Sequence, residues 1–508
     1  MKKLMNCLLV FALIFNLFTI PAFAEESGLP VSAASESLGA FNCYDELSSE
    51  FTAHEAKVRL ITNNVEAWYA RWYMISSAKR TIDTTYFIVD KDIFGMSFLG
   101  LLMKKAKEGV KVRLMMDARG SMDLTKVMTG MDYLQELVEN PNVEIKVYNP
   151  LASNLVKVFG NIRNIISSNH DKIIIVDDEL CITGGRNIEM NYFVSPKDVA
   201  KVYRDTDVLI QNEGIAAQMK TAFNDEFNSH AAYNVKKEIF GNWVSREKEL
   251  DLARRAMQNF MNGMGLMNPE QLTSDKEALV KYNEELAKYP SMQSYSAYIP
   301  FTGDHIYPSM ILDKHSFKGT LNNITPSIIK LIDNAKSEII IQNPYLVITD
   351  DVFAALQRAN DRGVKINVHT NSPGSTDSAI TQAFFLYDWK SIMAKMRNLR
   401  MFGFKGETQL HSKVFVFDRE VTIVGTYNMD PMSEQINSEN VLVIKSKPFA
   451  VRTALRIAED EKNSIEYKVN VDKNGNVESY FGPDSHSDPE KLKKLNFLHK
   501  FGFLRPLI

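Results

Sequence analysis

Short apolar runs alternate with amphipathic helical segments in two separate stretches of this chain. Residues 78–121 contain a strand-like run, an amphipathic helical segment, the tripeptide Gly-Val-Lys and a second apolar run. Residues 335–375 repeat that order, with Ala-Lys at the start and Gly-Val-Lys before the second apolar run. Strands that alternate with helices are typical of an α/β fold. The pattern therefore predicts a duplicated α/β domain, in which each copy has a mostly parallel sheet flanked by helices.

Each copy is followed downstream by one member of a second pair of matching segments. The segments HDKIIIVDDELCITGGRN (170–187) and HSKVFVFDREVTIVGTYN (411–428) align without gaps and share His, Lys, Asp, Glu, Ile, Gly and Asn. Because side chains alternate between the two faces of a strand, the His and the Lys two residues later point the same way. One such pair is often only a surface feature of an edge strand. Its recurrence in both halves of one chain predicts a functional site.

The segments outside the two repeats differ from them in composition. Two N-terminal lysines, an apolar run over 8–20 and the sequence Ala-Phe-Ala at 22–24 are typical of a secretory signal peptide, with an uncleaved anchor as the alternative. No later apolar run is long enough to span a bilayer. We predict a signal peptide at 1–24, an N-terminal arm at 25–54, a first lobe at 55–230, a helical Met-rich insertion at 231–300, a second lobe at 301–450, and a C-terminal helix with a basic and apolar tail at 451–508.

Composition narrows the functional classes. The 508 residues carry a formal net charge of −3 at pH 7, which argues against a dedicated nucleic-acid binder. Cys43 and Cys181 are the cysteines that remain after the predicted cleavage, and the apolar strand around Cys181 favours buried free thiols over a disulfide. No Cys/His cluster has the spacing of zinc ligands, so we predict neither a metal nor another cofactor.

The repeated polar residues suit chemistry at a phosphodiester. They are His170, Lys172, Asn187, His411, Lys413 and Asn428. Lysine ammonium groups and asparagine amides would bind the non-bridging phosphate oxygens. One histidine could attack phosphorus and become a covalent phosphohistidine, while the other protonates the leaving alcohol and later deprotonates the acceptor. Each lobe would then supply half of one site.

A neutral nucleophilic histidine needs a hydrogen-bond acceptor on its second ring nitrogen. Glu439 is the candidate in the second half, and in the first half VYRDTDVLI offers Asp205 and Asp207, of which the alignment favours Asp207. Asp177 and Asp418 lie on the opposite strand face from their lysines. We therefore interpret Asp177 and Asp418, the acidic members of the repeated motif, as structural partners at strand ends.

The duplicated His-x-Lys-x4-Asp motif resembles the phospholipase D superfamily, and the likeness extends over about 55–450. The phrases GGRNIEMNYF, YRDTDVLI, TNSPGSTDSA and GTYNMDP resemble the bacterial cardiolipin synthase branch. The resemblance implies two lobes related by a pseudo-two-fold axis, a complete site within one monomer and a phosphatidyl-histidine intermediate. It also implies that His170 is the nucleophile and His411 the general acid and base. The first lobe has Gly185 where many members have Ser, and the second lobe has Thr426.

Three functions fit these observations. The first is an exported phosphatidyltransferase that acts on membrane phospholipid and passes the phosphatidyl group to a lipid alcohol. The second is a secreted phospholipase D that hydrolyses phospholipid, and the third is a nuclease, which the acidic net charge disfavours. Complete duplicate motifs disfavour a non-enzymatic binding module. The tail at 491–508, with lysines among Leu and Phe, suits either an interfacial segment at the membrane or a helix packed on the second lobe.

Overall fold

The apolar runs of both repeats form strands, because β-branched and aromatic side chains fill a sheet that helices cover. The computed structural model describes residues 39–126, 129–149, 166–237, 245–302, 305–316 and 321–507. The strands of the first half are β1 (His54–Ile61), β2 (Thr81–Tyr86), β3 (Lys111–Asp117), β4 (Val143–Tyr148), β5 (Ile173–Val176), β6 (Leu180–Gly184), β7 (Tyr203–Arg204), β8 (Asp207–Gln211) and β9 (Ala232–Asn234). Those of the second half are β10 (Ile306–Lys314), β11 (Glu338–Gln342), β12 (Lys365–Asn371), β13 (Leu399–Phe404), β14 (Gln409–Leu410), β15 (Val414–Phe417), β16 (Val421–Gly425), β17 (Glu439–Lys445), β18 (Ser464–Val471) and β19 (Val477–Phe481).

Amphipathic segments form the helices that cover this sheet. Those up to residue 286 are α1 (Ala40–Phe51), α2 (Asn64–Ser77), α3 (Ile93–Lys107), α4 (Met122–Thr125), α5 (Met131–Leu137), α6 (Met190–Phe193), α7 (Glu213–Phe227), α8 (Glu247–Met261) and α9 (Lys276–Leu286). Those that follow are α10 (Ile324–Asn334), α11 (Asp350–Asp361), α12 (Ala379–Lys395), α13 (Pro431–Gln435), α14 (Lys447–Asp460), α15 (Pro483–His486) and α16 (Pro489–His499). In the part of the chain that the structure describes, no helix has the length and apolarity needed to cross a membrane.

Among the described residues, seventeen strands form one sheet, and the strands of the two halves follow in equivalent order from its centre outward. The first-half order from the centre is β1-β8-β6-β5-β2-β3-β4-β9. The second-half order is β10-β17-β16-β15-β11-β12-β13-β18, with β19 beyond it. β1 and β10 pair antiparallel, with His54 opposite Ser309. The matching orders place a pseudo-two-fold axis between these two strands, and the predicted two-lobed α/β fold is confirmed.

Each lobe has a mixed sheet and not the mostly parallel sheet that the sequence predicted. Among the described strands of this sheet, the parallel pairs are those of β2-β3-β4 in one lobe and β11-β12-β13 in the other. The β5-β6 and β15-β16 pairs are antiparallel hairpins. Asp177 and Asp178 turn the first hairpin, and Asp418 and Arg419 turn the second, all with φ between 53° and 61°. Tight turns of this kind join antiparallel neighbours, whereas only strands joined through a helix become parallel.

The segments outside the repeats pack on the lobes. Cys43 on α1 lies in the hydrophobic core of the second lobe. Cys181 is a buried free thiol, the outcome that its apolar strand favoured, and Cys43 is a buried free thiol as well. In 231–300, α8 packs against α3, with Met257 and Met261 buried and Met264 64% exposed. The predicted signal peptide lies outside the described residues. Beyond α14, the chain forms the β18-β19 hairpin, which the sequence did not predict, before α16 packs on α12.

Candidate active site

Each His-x-Lys segment is attached to the opposite lobe just before its strand begins. The N–H of His170 donates to the Ser438 hydroxyl at 3.2 Å, and Asn169 forms a parallel bridge with Ser438. The N–H of His411 donates to the carbonyl oxygen of Arg204 at 2.9 Å, beside the short parallel β7-β14 pair. The two histidines therefore lie at the junction of the lobes, where each meets residues that follow the other lobe's motif.

The half-site around His170 takes its carboxylate from the second lobe. His170 Nδ1 lies 3.0 Å from both carboxylate oxygens of Glu439. The hydroxyls of Thr426 and Ser433 donate to the same carboxylate, each at 2.5 Å. The ring of Phe87 meets the imidazole edge-on, with centroids 5.2 Å apart. An Nδ1–H donated to Glu439 leaves the lone pair on Nε2 available to a substrate.

The half-site around His411 takes its carboxylate from the first lobe. His411 Nδ1 lies 2.8 Å from Asp205 Oδ2, and the N–H of Thr206 donates to Asp205 Oδ1 at 2.7 Å. The Tyr192 hydroxyl lies 3.5 Å from His411 Nε2. Tyr192 and Tyr203 stack on each other with centroids 4.3 Å apart. Aromatic side chains therefore surround this imidazole more extensively than they surround His170.

The choice of Asp207 as the first-half acceptor is wrong. Asp207 Oδ2 is bound at 2.9 Å by Arg71 and at 3.0 Å by Arg186, both buried. The register explains the difference, because Gly184 of β6 pairs with Asp207, whereas the matching Gly425 of β16 pairs with residue 441. Residue 205 lies two positions before Asp207, and residue 439 lies two positions before residue 441. The counterpart of Glu439 is therefore Asp205.

The two departures from the family pattern are explained by these carboxylates. A Cβ on Gly185 would lie 2.2 Å from Asp205 Oδ1, so a larger residue cannot fit without displacing that carboxylate. Gly185 has no side chain and leaves room for the Asp205 carboxylate. At the matching position, Thr426 donates its hydroxyl to the Glu439 carboxylate, which is one methylene longer.

Both lysines are fully desolvated next to their histidines. Lys172 Nζ donates to the His170 carbonyl oxygen at 2.8 Å. Lys413 Nζ lies 2.9 Å from His411 Nδ1 and 3.1 Å from Nε2. Burial lowers the pKa of Lys172 to about 7 and that of Lys413 to about 8, although Glu439 and Asp205 oppose these shifts. A phosphodiester anion would favour the charged form of both lysines.

The histidines and their carboxylates differ in their protonation tendencies. Burial lowers the pKa of His170 far below its usual value, and the charges of Lys172 and Lys413 lower it further. Burial also lowers the pKa of His411, but its hydrogen bond with Asp205 opposes that shift. Burial raises the pKa of Glu439 to about 7. For Asp205 burial acts upward, yet the hydrogen bond and charge of His411 outweigh it and the pKa is lowered.

The two predicted asparagine donors have different surroundings. Asn187 donates from Nδ2 to the Tyr192 hydroxyl at 3.1 Å and accepts from the Ile88 N–H at 3.1 Å. Asn428 is 5% exposed, and its side-chain oxygen has no hydrogen-bond partner among the described residues. Their role as donors to phosphate stays a prediction.

Asp177 and Asp418 bind backbone groups at strand ends, in agreement with the interpretation of the sequence. Asp177 accepts the N–H groups of Lys79, Arg80 and Thr81. Asp418 accepts those of residues 336, 337 and 338, and it also accepts from the N–H of residue 40. Asp177 therefore fixes the start of β2, and Asp418 fixes the start of β11. Each carboxylate lies at the opposite end of its strand from the histidine of the same motif.

Several residues of the site were not predicted from the sequence: Phe87, Tyr192, Tyr203, Tyr345, Asp377 and Ser433. The phrases that resemble the cardiolipin synthase branch contain three of them, namely Tyr192, Tyr203 and Asp377, and Ser433 lies just after GTYNMDP. The sequence offered one signal for two of these residues: Tyr192 lies five positions after Asn187, and Ser433 lies five positions after Asn428. In the described ranges, no group of three or more His, Cys, Asp and Glu side chains is arranged to hold a metal ion.

Comparison with known proteins agrees with this geometry. The model of the family described as "Cardiolipin synthase, PLD-like domain" matches residues 72–227 and 328–460, more than half of the chain. The chain belongs to this family. It is similar to cardiolipin synthase C of Escherichia coli (strain K12), with 24% identity over 462 residues, 85% of this chain and 90% of the relative. It is also similar to a probable cardiolipin synthase of Bacillus subtilis (strain 168), with 23% identity over 401 residues, 78% of this chain and 64% of the relative.

A solved structure supports the fold of this cardiolipin synthase-like protein. Phosphatidylserine synthase of Haemophilus influenzae Rd KW20 matches with a TM-score of 0.62 and 14% identity, covering 92% of this chain and 99% of that one. The predicted membership in the phospholipase D superfamily, and in its cardiolipin synthase branch, is confirmed. The prediction of an enzyme of that superfamily is confirmed with it.

Proposed function

We propose that this protein transfers a phosphatidyl group from a phospholipid to a lipid alcohol, as a cardiolipin synthase-type enzyme. The observation that carries the proposal is the pair of histidine–carboxylate contacts across the lobe boundary, His170 with Glu439 and His411 with Asp205. A phosphodiester bound between the imidazoles would meet a lysine from each lobe. This arrangement supplies a nucleophile, an acid and positive charge without contributions from a second chain.

The reaction would proceed in two steps. In the first, the Nε2 lone pair of His170 attacks phosphorus, an N–P bond forms and the P–O bond to the leaving alcohol breaks. His411 gives its Nε2 proton to the leaving oxygen. In the second, the acceptor alcohol gives its proton to His411, its oxygen attacks phosphorus and the N–P bond breaks. The ammonium groups of Lys172 and Lys413 would stabilise the charge on the non-bridging oxygens in both transition states.

The electrostatic difference between the histidines supports these roles. A nucleophile must be unprotonated, and burial holds the pKa of His170 well below its usual value. An acid must carry a proton; burial lowers the pKa of His411 too, but the Asp205 carboxylate, whose own pKa is lowered, opposes that shift and favours the imidazolium. The acid–base assignment therefore has a physical basis in addition to the family resemblance.

Product analysis tests the proposal. The purified full chain is incubated with phosphatidylglycerol vesicles, and the lipid products are resolved by mass spectrometry. We expect cardiolipin as the main product, because an apolar lipid environment at the site mouth favours a lipid hydroxyl over water. Phosphatidic acid with little cardiolipin would establish the hydrolase instead. Excess EDTA should leave the rate nearly unchanged, since the lysines supply the positive charge, and a complete loss restored by a divalent ion would contradict this mechanism.

Export and contact with a membrane belong to the same proposal. The N-terminal pattern at 1–24 supports export, and N-terminal sequencing of the mature protein should give a start near residue 25. Exposed aromatic side chains on and beside the tail support membrane contact: Tyr387 is 67% exposed, Phe497 58% and Phe503 57%. Lys491 on the same tail lies 3.5 Å from the carbonyl oxygen of Gly374. These groups would lie on the membrane surface while other parts of the tail pack on α12.

Paired substitutions test the role of the tail. The double variant Phe497→Ser and Phe503→Ser should sediment less with anionic vesicles and should keep its turnover of a soluble phosphodiester. Leu455→Ser is the matched control, because Leu455 is also 58% exposed but lies on α14. Equal losses with vesicles and with the soluble substrate would show that the tail stabilises the fold and does not bind membrane.

A further inference from the structure

The wall of the site beside His411 ends in a carboxylate that the proposed chemistry does not use. Asp377 is exposed and lies in the loop before α12. Its Oδ1 accepts a hydrogen bond from the Tyr345 hydroxyl at 2.9 Å, and its Oδ2 accepts one from the Tyr203 hydroxyl at 3.3 Å. The rings of these tyrosines lie beside His411, with centroid distances of 6.4 Å for Tyr345 and 5.3 Å for Tyr203. The same two side chains therefore contact both the imidazole and the carboxylate.

The bonding capacity of Asp377 is only partly used. Two neutral phenol donors occupy two of the roughly four lone-pair positions of a carboxylate. Within the described ranges, no Lys, Arg or His forms an ion pair with it, and its hydrogen-bond donors are the two tyrosines. Its negative charge at the rim is thus available to a donor, above all a cationic one, that arrives with a ligand.

The direction of the reaction places a substrate group next to this carboxylate. In an in-line displacement the leaving oxygen departs on the side opposite to the nucleophile. With His170 as the nucleophile, that side is the one occupied by His411, where the leaving alcohol receives its proton. The acceptor alcohol later enters at the same place, because His411 must take its proton. Both alcohols therefore pass the wall formed by Tyr203, Tyr345 and Asp377.

On the opposite side of the site, the position that matches Tyr345 carries no hydroxyl. The bridges Val89–Ile188 and Leu346–Met429 occupy matching positions in the two lobes, so Ile88 is the counterpart of Tyr345. An isoleucine side chain has no hydroxyl with which to hold a carboxylate. At this pair of matching positions, the hydroxyl is therefore present only on the side on which alcohols would leave and enter.

We propose that Asp377, held by Tyr203 and Tyr345, binds a hydrogen-bond donor of the leaving or entering alcohol, either an ammonium group or a second hydroxyl near the reacting oxygen. This inference rests on the proposed transfer function and deepens it, because it makes Asp377 a specificity-determining residue for the alcohol. An ammonium group gains more than a hydroxyl, since it neutralises the carboxylate and can also contact the tyrosine ring faces.

Competition between small acceptor alcohols tests the proposal. Phospholipid in mixed micelles is offered 2-aminoethanol, glycerol and 1-propanol together, and the three phosphatidyl products are quantified by mass spectrometry. We expect the unmodified protein to prefer the two alcohols that carry a second donor. Asp377→Asn should reduce the preference for 2-aminoethanol over 1-propanol roughly 10- to 100-fold, and that for glycerol roughly fivefold. The rate of the 1-propanol product is the reference for both ratios, because the charge of Asp377 also acts on His411 and Lys413 and its loss changes that rate for all three alcohols alike.

Two further variants separate specificity from structural damage. Tyr345→Phe keeps the ring but removes a donor to Asp377, so it should change the same preference in the same direction by a smaller factor. Asp361→Asn, on the exposed end of α11, is the matched control and should leave every ratio unchanged. Unchanged preferences in Asp377→Asn, or an equal loss with all three alcohols, would overturn the proposal.

Failure of the transfer function gives a different result. If the unmodified protein forms no alcohol products and only releases phosphatidic acid, the transferase proposal is wrong. The subsite is then tested on leaving groups alone, by comparing hydrolysis of phosphatidylethanolamine with that of phosphatidylpropanol. Asp377→Asn should slow the first roughly 10-fold or more relative to the second. Equal effects on both lipids would reject the subsite in that case as well.

Discussion

The half-sites around His170 and His411 share a backbone arrangement and differ in how their carboxylates are supported. Glu439, beside His170, is buried among the hydroxyls of Thr426 and Ser433. Asp205, beside His411, accepts the N–H of the next residue and lies in the field of the buried Arg186. The charge of Lys172 and two hydroxyl donors therefore support Glu439, whereas His411, Lys413 and Arg186 support Asp205.

This difference teaches how a duplicated site acquires two roles. At Glu439 burial outweighs both the charge of Lys172 and the two hydroxyl donors, and it raises the pKa to about 7. The Asp205 carboxylate stays ionised and favours a proton on His411. An imidazole that must stay neutral and one that must gain a proton are thus distinguished by their neighbours, while both keep the same His-x-Lys geometry.

Replacement of each histidine gives the largest expected effect. His170→Ala and His411→Ala should each lower kcat by roughly four to six orders of magnitude, because each removes an essential reacting group. The two variants should nevertheless differ with a substrate whose leaving group is activated and needs no acid. His411→Ala should then accumulate an acid-labile phosphohistidine, detected by intact-protein mass spectrometry, whereas His170→Ala should not. A phosphate found on His411 would reverse the assignment.

Substitution of the carboxylates sharpens the comparison further. Asp205→Asn removes the anion that favours the imidazolium, so the already lowered pKa of His411 should fall further. The alkaline limb of the kcat profile should therefore move to lower pH, and kcat near neutral pH should drop by roughly 10²- to 10⁴-fold. Glu439→Gln should lower kcat and move that limb less, because Glu439 supports the charge of Lys172 and not the imidazolium of His411. Identical pH profiles of the two variants would show that the half-sites do not divide the acid and nucleophile roles.

The glycine and threonine at matching positions provide a third test of intermediate size. Gly185→Ser places a Cβ against Asp205 Oδ1 and should lower kcat roughly 10- to 100-fold through displacement of that carboxylate. Thr426→Ser keeps the hydroxyl bound to Glu439 and should retain most activity, whereas Thr426→Val should lose roughly 10-fold. Steady-state kinetics measures all three. An active Gly185→Ser variant would mean that Asp205 can move without loss of function.

The recurrence of short motifs made much of this site predictable. His170, Lys172 and their second-half counterparts follow from strand alternation and repetition alone, and so does the structural role of Asp177. The acceptor of His411 could not be chosen in this way, because Asp205 and Asp207 both lie in an apolar strand context. Only the pairing of Gly184 with Asp207 sets which carboxylate reaches the imidazole.

Other features depend on contacts between distant segments. The wall beside His411 combines Tyr192, Tyr203 and Tyr345, which are far apart in sequence and meet only when the lobes join. The single continuous sheet likewise depends on the β1-β10 pairing across the pseudo-two-fold axis. The alternation of strands and helices indicated parallel pairing, but the Asp-rich turns at 177–178 and 418–419 produce antiparallel hairpins.

The smallest expected effect on catalysis comes from Asp177 and Asp418, which carry the repeated acidic position but bind backbone. Asp177→Asn and Asp418→Asn should keep nearly full kcat, and each should lower the free energy of unfolding by about 1–3 kcal/mol. The loss should be larger for Asp418→Asn, because Asp418 also accepts from the Ser337 hydroxyl and from the N–H of Ala40 at the start of α1. Urea unfolding followed by circular dichroism measures both values.

Acid pH separates this structural role from a catalytic one. Partial burial acts to raise the pKa of Asp177, but its hydrogen bonds from the N–H groups of Thr81, Lys79 and Arg80 outweigh burial and lower it. A depressed folded-state pKa stabilises the fold above the unfolded-state value of roughly 4, and that contribution disappears as the pH falls through the folded-state value. The stability difference between the unmodified protein and Asp177→Asn should therefore be complete at pH 7 and shrink below about pH 4. A difference that persists undiminished in acid, or a large fall in kcat at neutral pH, would contradict the assignment of the motif's acidic residue to the scaffold.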